Sequence, residues 1–268
     1  MGLNQQSEVT SYEGIVDNTN EKLLQEEYNK AVEYNKSLLG SVIVTDPFDP
    51  NYVPKVDYEY ESMLSVGGDV MASIEIPSIK LNLPIYHNTN SDILLKGAGH
   101  LPQTSLPVGG KSTHAVITGH TAMPSAKLFT DLNILELGDK FYIHVLGKTL
   151  AYEIVKIYVI EPDDTKSLRV YEGKDYVTLI TCTPYGINTH RLLVRGERIP
   201  YVENEEKQNE DILKTSESTW MKEYKKALFA GAAILCVILI IFFFIRRLFK
   251  RRKLKKQNVQ SETDFSSG

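Results

Sequence analysis

The chain has 268 residues, enough for one domain of ordinary size with additional segments. Its net charge of −4 conceals an asymmetry, because eight of the 30 basic residues lie in residues 246–256. Residues 1–226 hold 22 basic and 32 acidic side chains, a balance that argues against a nucleic-acid partner. The 15 tyrosines and the many Val, Ile and Thr residues favour β structure.

The N-terminal segment, residues 1–40, is predicted to contain one amphipathic helix. Apolar residues recur at close to helical spacing over residues 19–39, with Thr19 as a candidate N-cap and Gly40 at the end. The first residues contain no apolar stretch that could direct export, so we expect an export signal to have been trimmed from this sequence, the alternative being a misplaced start.

Residues 41–62 are predicted to form an extended segment. Pro47, Pro50 and Pro54 each restrict their own backbone and that of the preceding residue, which disfavours a helix. The segment is more apolar than a simple linker, which indicates that it packs on another part of the protein.

Residues 63–202 are predicted to form a closed β-barrel or a β-sandwich of seven or eight strands. Turn signals separate the strand-like runs, and a short helix is predicted over residues 126–132. The runs are MASIEI, KLNLPIYH, HAVITG, KFYIHVL, KTLAYEIVKIYVI, YVTLITC and RLLVRGERI.

The C-terminal part is predicted to anchor the protein in a membrane. Residues 203–226 would form a polar stalk, and residues 227–245 are 19 residues without a charge, about 28 Å as a helix and close to the thickness of the hydrocarbon layer. The alternative is a buried core helix. The basic tail, residues 246–268, predicts a cytoplasmic C-terminus, and therefore an extracellular catalytic domain on a single-pass cell-membrane protein.

Three residues at the ends of strand-like runs could carry chemistry. Cys182 ends YVTLITC, His120 follows HAVITG, and Arg191 begins the next run. A thiolate nucleophile, an imidazole acid–base and a guanidinium for a developing oxyanion would form a Cys–His–Arg site. Each residue also has a plain structural alternative: a small buried hydrophobe, a structural histidine and a solvated surface arginine. No zinc-like spacing of His and Cys is present, so we expect no metal and no cofactor.

The motifs around these residues resemble those of the sortase family, in particular class C, the pilin-polymerising sortases of Gram-positive bacteria. TLITCTPYGINTHRLLVRG resembles the TLxTC box and its continuation to the arginine, and AVITGHTAM resembles the histidine motif. DPF at residues 46–48 resembles the class C lid motif, and a C-terminal span is common in that class. The resemblance covers roughly residues 20–245 and implies an eight-stranded barrel with His120, Cys182 and Arg191 as catalytic residues.

The resemblance also implies a function. Cys182 would cleave an LPxTG-like sorting signal between Thr and Gly through a thioacyl-enzyme and pass the acyl group to a pilin lysine. Cell-wall precursor or water would be minor acceptors. Asp46 and Phe48 would form a lid over the thiol, with Asp46 paired to Arg191. The partners expected are pilin subunits with a sorting signal and an acceptor lysine, and the lipid bilayer. LPQTS at residues 101–105 resembles the substrate signal but is interpreted as a turn.

Three rival interpretations remain at this stage. A sortase of another class, anchoring proteins to the cell wall, would share the three catalytic residues. A papain-like protease fits poorly, because there the cysteine precedes the histidine. A membrane-anchored surface adhesin or pilus subunit would be non-enzymatic and would have no use for Cys182.

Overall fold

The structure, a computed structural model, describes most of the chain N-terminal to the predicted stalk. The described residues are 2–38, 46–48, 57–121, 127–203, 228–232 and 236. The chain divides into two compact units, Met1–Trp220 and Met221–Gly268. In the second unit the six described residues are helical and exposed. Within the described residues, no helix has the length and apolar character needed to cross a membrane, and the predicted span at 227–245 lies mostly outside them.

Eight strands close into a single barrel, as the family resemblance implied. Around the barrel the order is β1-β2-β3-β4-β7-β8-β6-β5, and β1 pairs with β5 to close it. The β2–β3 and β4–β7 pairs are parallel and the others are antiparallel. The strands are β1 Val70–Ile76, β2 Leu81–His87, β3 Ala98–His100, β4 Thr113–Thr118, β5 Lys140–Val145, β6 Lys148–Ile160, β7 Asp175–Thr183 and β8 His190–Ile199.

Strands β7 and β8 are buried on both faces, which places functional side chains outside the barrel core. Val177, Leu179, Leu192 and Val194 pack into the barrel core. The alternate residues face outward, because successive strand side chains point to opposite faces. There they join a second group of buried residues, here called the outer apolar cluster: Leu101, Val116, Leu168, Ile180 and Leu193.

The N-terminal part contains two longer helices, α1 Gly2–Asp17 and α2 Glu21–Ser37. The predicted helix over 19–39 corresponds to α2, but its N-cap is Asn20, whose side chain accepts a hydrogen bond from the backbone of Lys22, and not Thr19. Helix α1 was not predicted. It is stabilised by tertiary packing, because Tyr12 and Val16 are buried in one cluster with two residues of β1 and β2.

Two local predictions are corrected by the structure. The segment 41–62 is not extended throughout, because α3, Tyr58–Ser62, follows its prolines with Asp57 as a side-chain cap. The helix predicted over 126–132 is instead a 3-10 helix at Thr130–Ile134. Two more 3-10 helices lie at Pro77–Ile79 and Lys166–Leu168, and α4 spans Ser91–Lys96.

The chain on either side of residues 39–56 is fixed to one loop of the barrel. At the end of α2, the buried Asn35 side chain donates to the carbonyl of Leu106 (3.0 Å) and accepts from its N–H (2.7 Å). In α3, the Tyr60 hydroxyl donates to Nδ1 of the fully buried His100 (2.9 Å). Burial lowers the pKa of His100 to about 3, so the ring is neutral and its Nε2–H donates to the Ser105 carbonyl (2.8 Å). Both anchors therefore meet at residues 100–106.

Candidate active site

Cys182 and Arg191 lie directly opposite each other on β7 and β8. The antiparallel register pairs Cys182 with Arg191 and Ile180 with Leu193. Both side chains therefore point to the outer face of the barrel at the end of the β7–β8 pair. The prediction that the intervening loop brings the thiol and the guanidinium together is confirmed.

His120 comes to the same end of the barrel from β4. Strand β4 runs parallel to β7, with Thr118 level with Ile180, and the N–H of Gly119 donates to the Ile180 carbonyl (3.1 Å). Continuing this register by two residues brings His120 level with Cys182. Gly119 allows the backbone to pass close to the Phe129 ring at this point, because a Cβ there would lie 2.8 Å from that ring.

Asp46 and Phe48 lie at the same end of the barrel. The carboxylate of Asp46 accepts hydrogen bonds from Nε (2.9 Å) and Nη2 (2.6 Å) of Arg191, a bidentate ion pair. The ring of Phe48 lies 5.7 Å from that of His120 and 5.1 Å from the guanidinium carbon of Arg191, measured between centroids or from centroid to carbon. Phe48 thus lies between the two groups on either side of Cys182, and the expected pairing of Asp46 with Arg191 is confirmed.

The environment favours neutral forms of the thiol and the imidazole. Burial raises the pKa of Cys182 to about 11; the nearby charge of Arg191 lowers it and that of Asp46 raises it. Burial also lowers the pKa of His120. Near neutral pH, which lies above the lowered pKa of His120 and below the raised pKa of Cys182, the site therefore holds a thiol and an unprotonated ring instead of a thiolate–imidazolium pair.

A pH profile of Cys182 alkylation checks this assignment. Since only the thiolate reacts and its pKa is about 11, the iodoacetamide rate should rise about tenfold per pH unit from pH 7 to 10 without a plateau. Mass spectrometry of the modified residue gives the rate. A plateau beginning near pH 7 would contradict the assignment and would indicate a thiolate stabilised by an imidazolium.

The site contains one feature that sequence reasoning missed. Nη1 of Arg191 donates to the backbone carbonyls of Asn188 (3.1 Å) and His190 (3.0 Å). Together with the two bonds to Asp46, these contacts use four of the five N–H donors of the guanidinium. Hydrogen bonds to backbone carbonyls leave no pattern of side chains in the sequence. The one available signal was Asn188, because asparagine tolerates the positive φ of 61° that this position has.

The other candidate motifs lie elsewhere. His100 and His114 are fully buried, and His144 lies beside Glu75 on the β1–β5 pair, 3.3 Å from its carboxylate. The LPQTS motif is a turn, as predicted: Thr104 and Ser105 are buried, and the Ser105 hydroxyl accepts from the N–H of His114 (3.0 Å). Among the described residues, no group of three His, Cys, Asp or Glu side chains could hold a metal ion.

Comparisons with known proteins agree with this geometry. The Sortase domain model matches residues 74–199. Sortase C-1 of Actinomyces oris is 50% identical, with a TM-score of 0.63 over 66% of this chain and 99% of the other. Sortase C1 of Streptococcus agalactiae is 43% identical, with a TM-score of 0.68 over 74% of this chain and 97% of the other. The chain belongs to the sortase family, and within it to class C.

More distant members of the family match a smaller part of the chain. Sortase A of Bacillus anthracis is 32% identical over 130 residues, which are 48% of this chain and 60% of that protein. The chain thus spans less than two thirds of the length of this relative.

Proposed function

We propose that this protein is a cysteine transpeptidase that cleaves an LPxTG-like sorting signal between Thr and Gly and joins the new carboxyl end to a lysine of a pilin subunit. The observation that carries the proposal is the register of β7 and β8, which sets Cys182 against Arg191 with His120 level on β4. Solved structures similar to this chain are sortases C, and one of them is the sortase C1 of a pilus island.

The chemistry requires a proton transfer before bond breaking. On substrate binding the Cys182 thiol gives its proton to His120, and the thiolate attacks the Thr carbonyl carbon. The C–N bond to Gly breaks while His120 returns the proton to the leaving amine, which leaves a thioester on Cys182. A lysine amine then loses a proton to His120 and attacks the thioester, so an isopeptide bond forms and the thiol is regenerated.

Arg191 and the proposed lid, Asp46 with Phe48, control this reaction. The guanidinium is placed to bind the substrate backbone or the oxyanion, but four of its five N–H donors are occupied while Asp46 is bound. The lid must therefore leave before a sorting signal can engage Arg191. Cell-wall precursor and water are alternative acceptors in the same mechanism, and transfer to cell-wall precursor is what a wall-anchoring sortase would do.

The proposed location follows the sequence. An apolar span at residues 227–245 would hold the protein in the cell membrane, with the barrel outside and residues 246–268 in the cytoplasm. Accessibility of single cysteines at Ser218 and Ser261 to an impermeant maleimide in intact cells, in a background with Cys182→Ala and Cys236→Ala, would test this arrangement.

Trapping of an acyl-enzyme tests the activity. Incubation with an LPxTG peptide should add the mass of the peptide's N-terminal acyl part to Cys182, more in the lid variant Asp46→Ala with Phe48→Ala than in wild type. Cys182→Ala should gain no mass, because no other residue at the site is a comparable nucleophile. If Cys182→Ala still transfers the acyl group, the mechanism is wrong. If no variant gains acyl mass, the protein recognises a sorting signal other than the peptide used.

A further inference from the structure

A second polar cluster lies on the same outer face, further along β8 from Arg191. Arg195 is 6% exposed and is level with Thr178 of β7. Its Nη2 donates to the hydroxyl of Tyr158 (2.8 Å) and to the backbone carbonyl of Ser167, and its Nε to the Thr178 hydroxyl (3.4 Å). Its guanidinium carbon also lies 5.1 to 5.6 Å from three tyrosine ring centroids, Tyr158, Tyr171 and Tyr176.

His114 completes the cluster from β4. The ring is fully buried, with Nδ1 2.8 Å from the Arg169 carbonyl and Nε2 2.7 Å from the Thr178 hydroxyl. Burial lowers the pKa of His114 to about 4, so the ring is neutral. A neutral ring has one N–H, and a carbonyl can only accept, so Nδ1–H donates to Arg169 and Nε2 accepts from Thr178. Hydrogen bonds therefore run in one direction, from Arg195 through Thr178 and His114 to the carbonyl of Arg169.

The two carbonyls bound by this cluster flank one apolar residue of the β6–β7 loop, residues 161–174. Arg195 holds the carbonyl of Ser167, and His114 holds that of Arg169. Between them Leu168, 2% exposed, packs in the outer apolar cluster, against which Phe48 also lies. Side chains from the barrel strands thus fix the peptide group that precedes Leu168 and the carbonyl of the residue that follows it.

We propose that Arg195 and His114 are positioning residues that hold Leu168 as one wall of the apolar recess beside Cys182, and that this wall sets the preference for a branched apolar side chain in the bound peptide. The identity of that peptide rests on the proposed function. The recess itself is the space that Phe48 occupies against the outer apolar cluster, of which Leu168 is a member. Tight packing makes such a wall sensitive to small displacements of its backbone.

A merely stabilising cluster would not need this chemistry. A buried arginine is costly to desolvate, and apolar residues of similar volume often serve stability as well or better. The guanidinium and the imidazole supply hydrogen bonds of defined direction, and each therefore holds one carbonyl at a defined position.

The experiment uses the full chain carrying Phe48→Ala, so that the recess is open in every sample. The variants are Arg195→Met, Arg195→Lys, Leu168→Ala and the double variant Arg195→Met with Leu168→Ala. The control is Lys111→Met, which removes an exposed positive charge in the loop before β4. Two ratios are measured: kcat/KM for a sorting peptide with Leu against Ala at its apolar position, and the Cys182 alkylation rate with an isobutyl against a methyl haloacetamide.

In Arg195→Met both ratios should fall about tenfold, mainly through KM in the peptide assay, since one apolar side chain in a pocket discriminates about 10- to 200-fold. Leu168→Ala should give the same loss and the double variant no further loss, while Arg195→Lys should recover part of it. Lys111→Met should leave both ratios unchanged.

Ratios that stay within twofold in Arg195→Met while Leu168→Ala loses them would overturn the proposal. An equal fall of kcat for both peptides with unchanged ratios would also overturn it, as a purely structural effect. If Arg195→Met does not fold, Tyr158→Phe removes one hydrogen-bond partner and should lower both ratios by a smaller factor; no change there would count against the proposal. If no variant turns over any peptide, the proposed function fails, and the alkylation ratio alone decides the role of Arg195.

Discussion

Replacement of Asp46 and Phe48 by alanine is expected to raise the alkylation rate of Cys182 at pH 7.5 about 10- to 100-fold. The pKa of the Cys182 thiol is about 11, against 9.0 for an unperturbed one, with burial as the main cause and Asp46 contributing in the same direction. A fall of two units increases the thiolate about 100-fold, and the lower nucleophilicity of a less basic thiolate offsets roughly tenfold of that gain. Removal of the Phe48 ring adds access.

The rate is measured with iodoacetamide by mass spectrometry of the modified Cys182, over the same pH range as for wild type. The profile of the double variant should begin to level off at least one pH unit lower. Asp163→Ala with Tyr58→Ala is a matched control, because it removes an exposed aspartate and an exposed aromatic ring elsewhere on the protein. An unchanged rate and profile in Asp46→Ala with Phe48→Ala would show that these residues do not cover the thiol.

The single variants separate two contributions to the closed state. Asp46→Ala removes a bidentate ion pair with Arg191, and Phe48→Ala removes the contact with the outer apolar cluster. If Asp46 and Phe48 open as a unit, each single change should shift the same equilibrium between the closed and the open form. Both single variants should then raise the alkylation rate of Cys182. Independent local effects would instead leave one single variant indistinguishable from wild type.

The strands that could be predicted from sequence are those with their own local pattern. Strand β6, Lys148–Ile160, has the predicted bounds, and β7 and β8 differ from their predicted runs by one residue at their ends. Strand β3, Ala98–His100, could not be found, because three residues without a β pattern are held by pairing with β2 and β4. Helix α1 was missed for a similar reason, since packing on the barrel stabilises it.

The candidate site was predictable to the extent that strand register determines it. Cys182 and Arg191 are separated by a loop of the length that joins antiparallel neighbours, so their pairing followed from spacing. His114 was set aside because it lies inside a strand run, and indeed it is not at the Cys182 site. Its bond to the Arg169 carbonyl joins residues 55 positions apart, and no local pattern indicates such a contact.

Arg191 is expected to act on the substrate as well as on the thiol, and its removal should therefore affect acylation much more than alkylation. With Asp46→Ala and Phe48→Ala as the background, Arg191→Ala should lower the rate of acyl-enzyme formation about 10²- to 10³-fold, the usual cost of losing an oxyanion donor. Alkylation should fall less than tenfold, because only the favourable effect of the Arg191 charge on the Cys182 pKa is lost.

Arg191→Lys distinguishes charge from geometry. It keeps a positive charge near the thiol, so alkylation should remain close to that of the background protein, but a lysine cannot reproduce the two parallel donors that Arg191 directs at the Asp46 carboxylate. Acylation should therefore stay at least tenfold low, and Arg169→Lys, at an exposed arginine, should have no effect on either rate. Equal losses of acylation and alkylation in Arg191→Ala would mean that Arg191 acts only through the thiol pKa, whereas full recovery in Arg191→Lys would mean that charge alone is needed. Because Asp46 occupies the same donors in the closed protein, the expected result also explains how one carboxylate can block catalysis without touching the nucleophile.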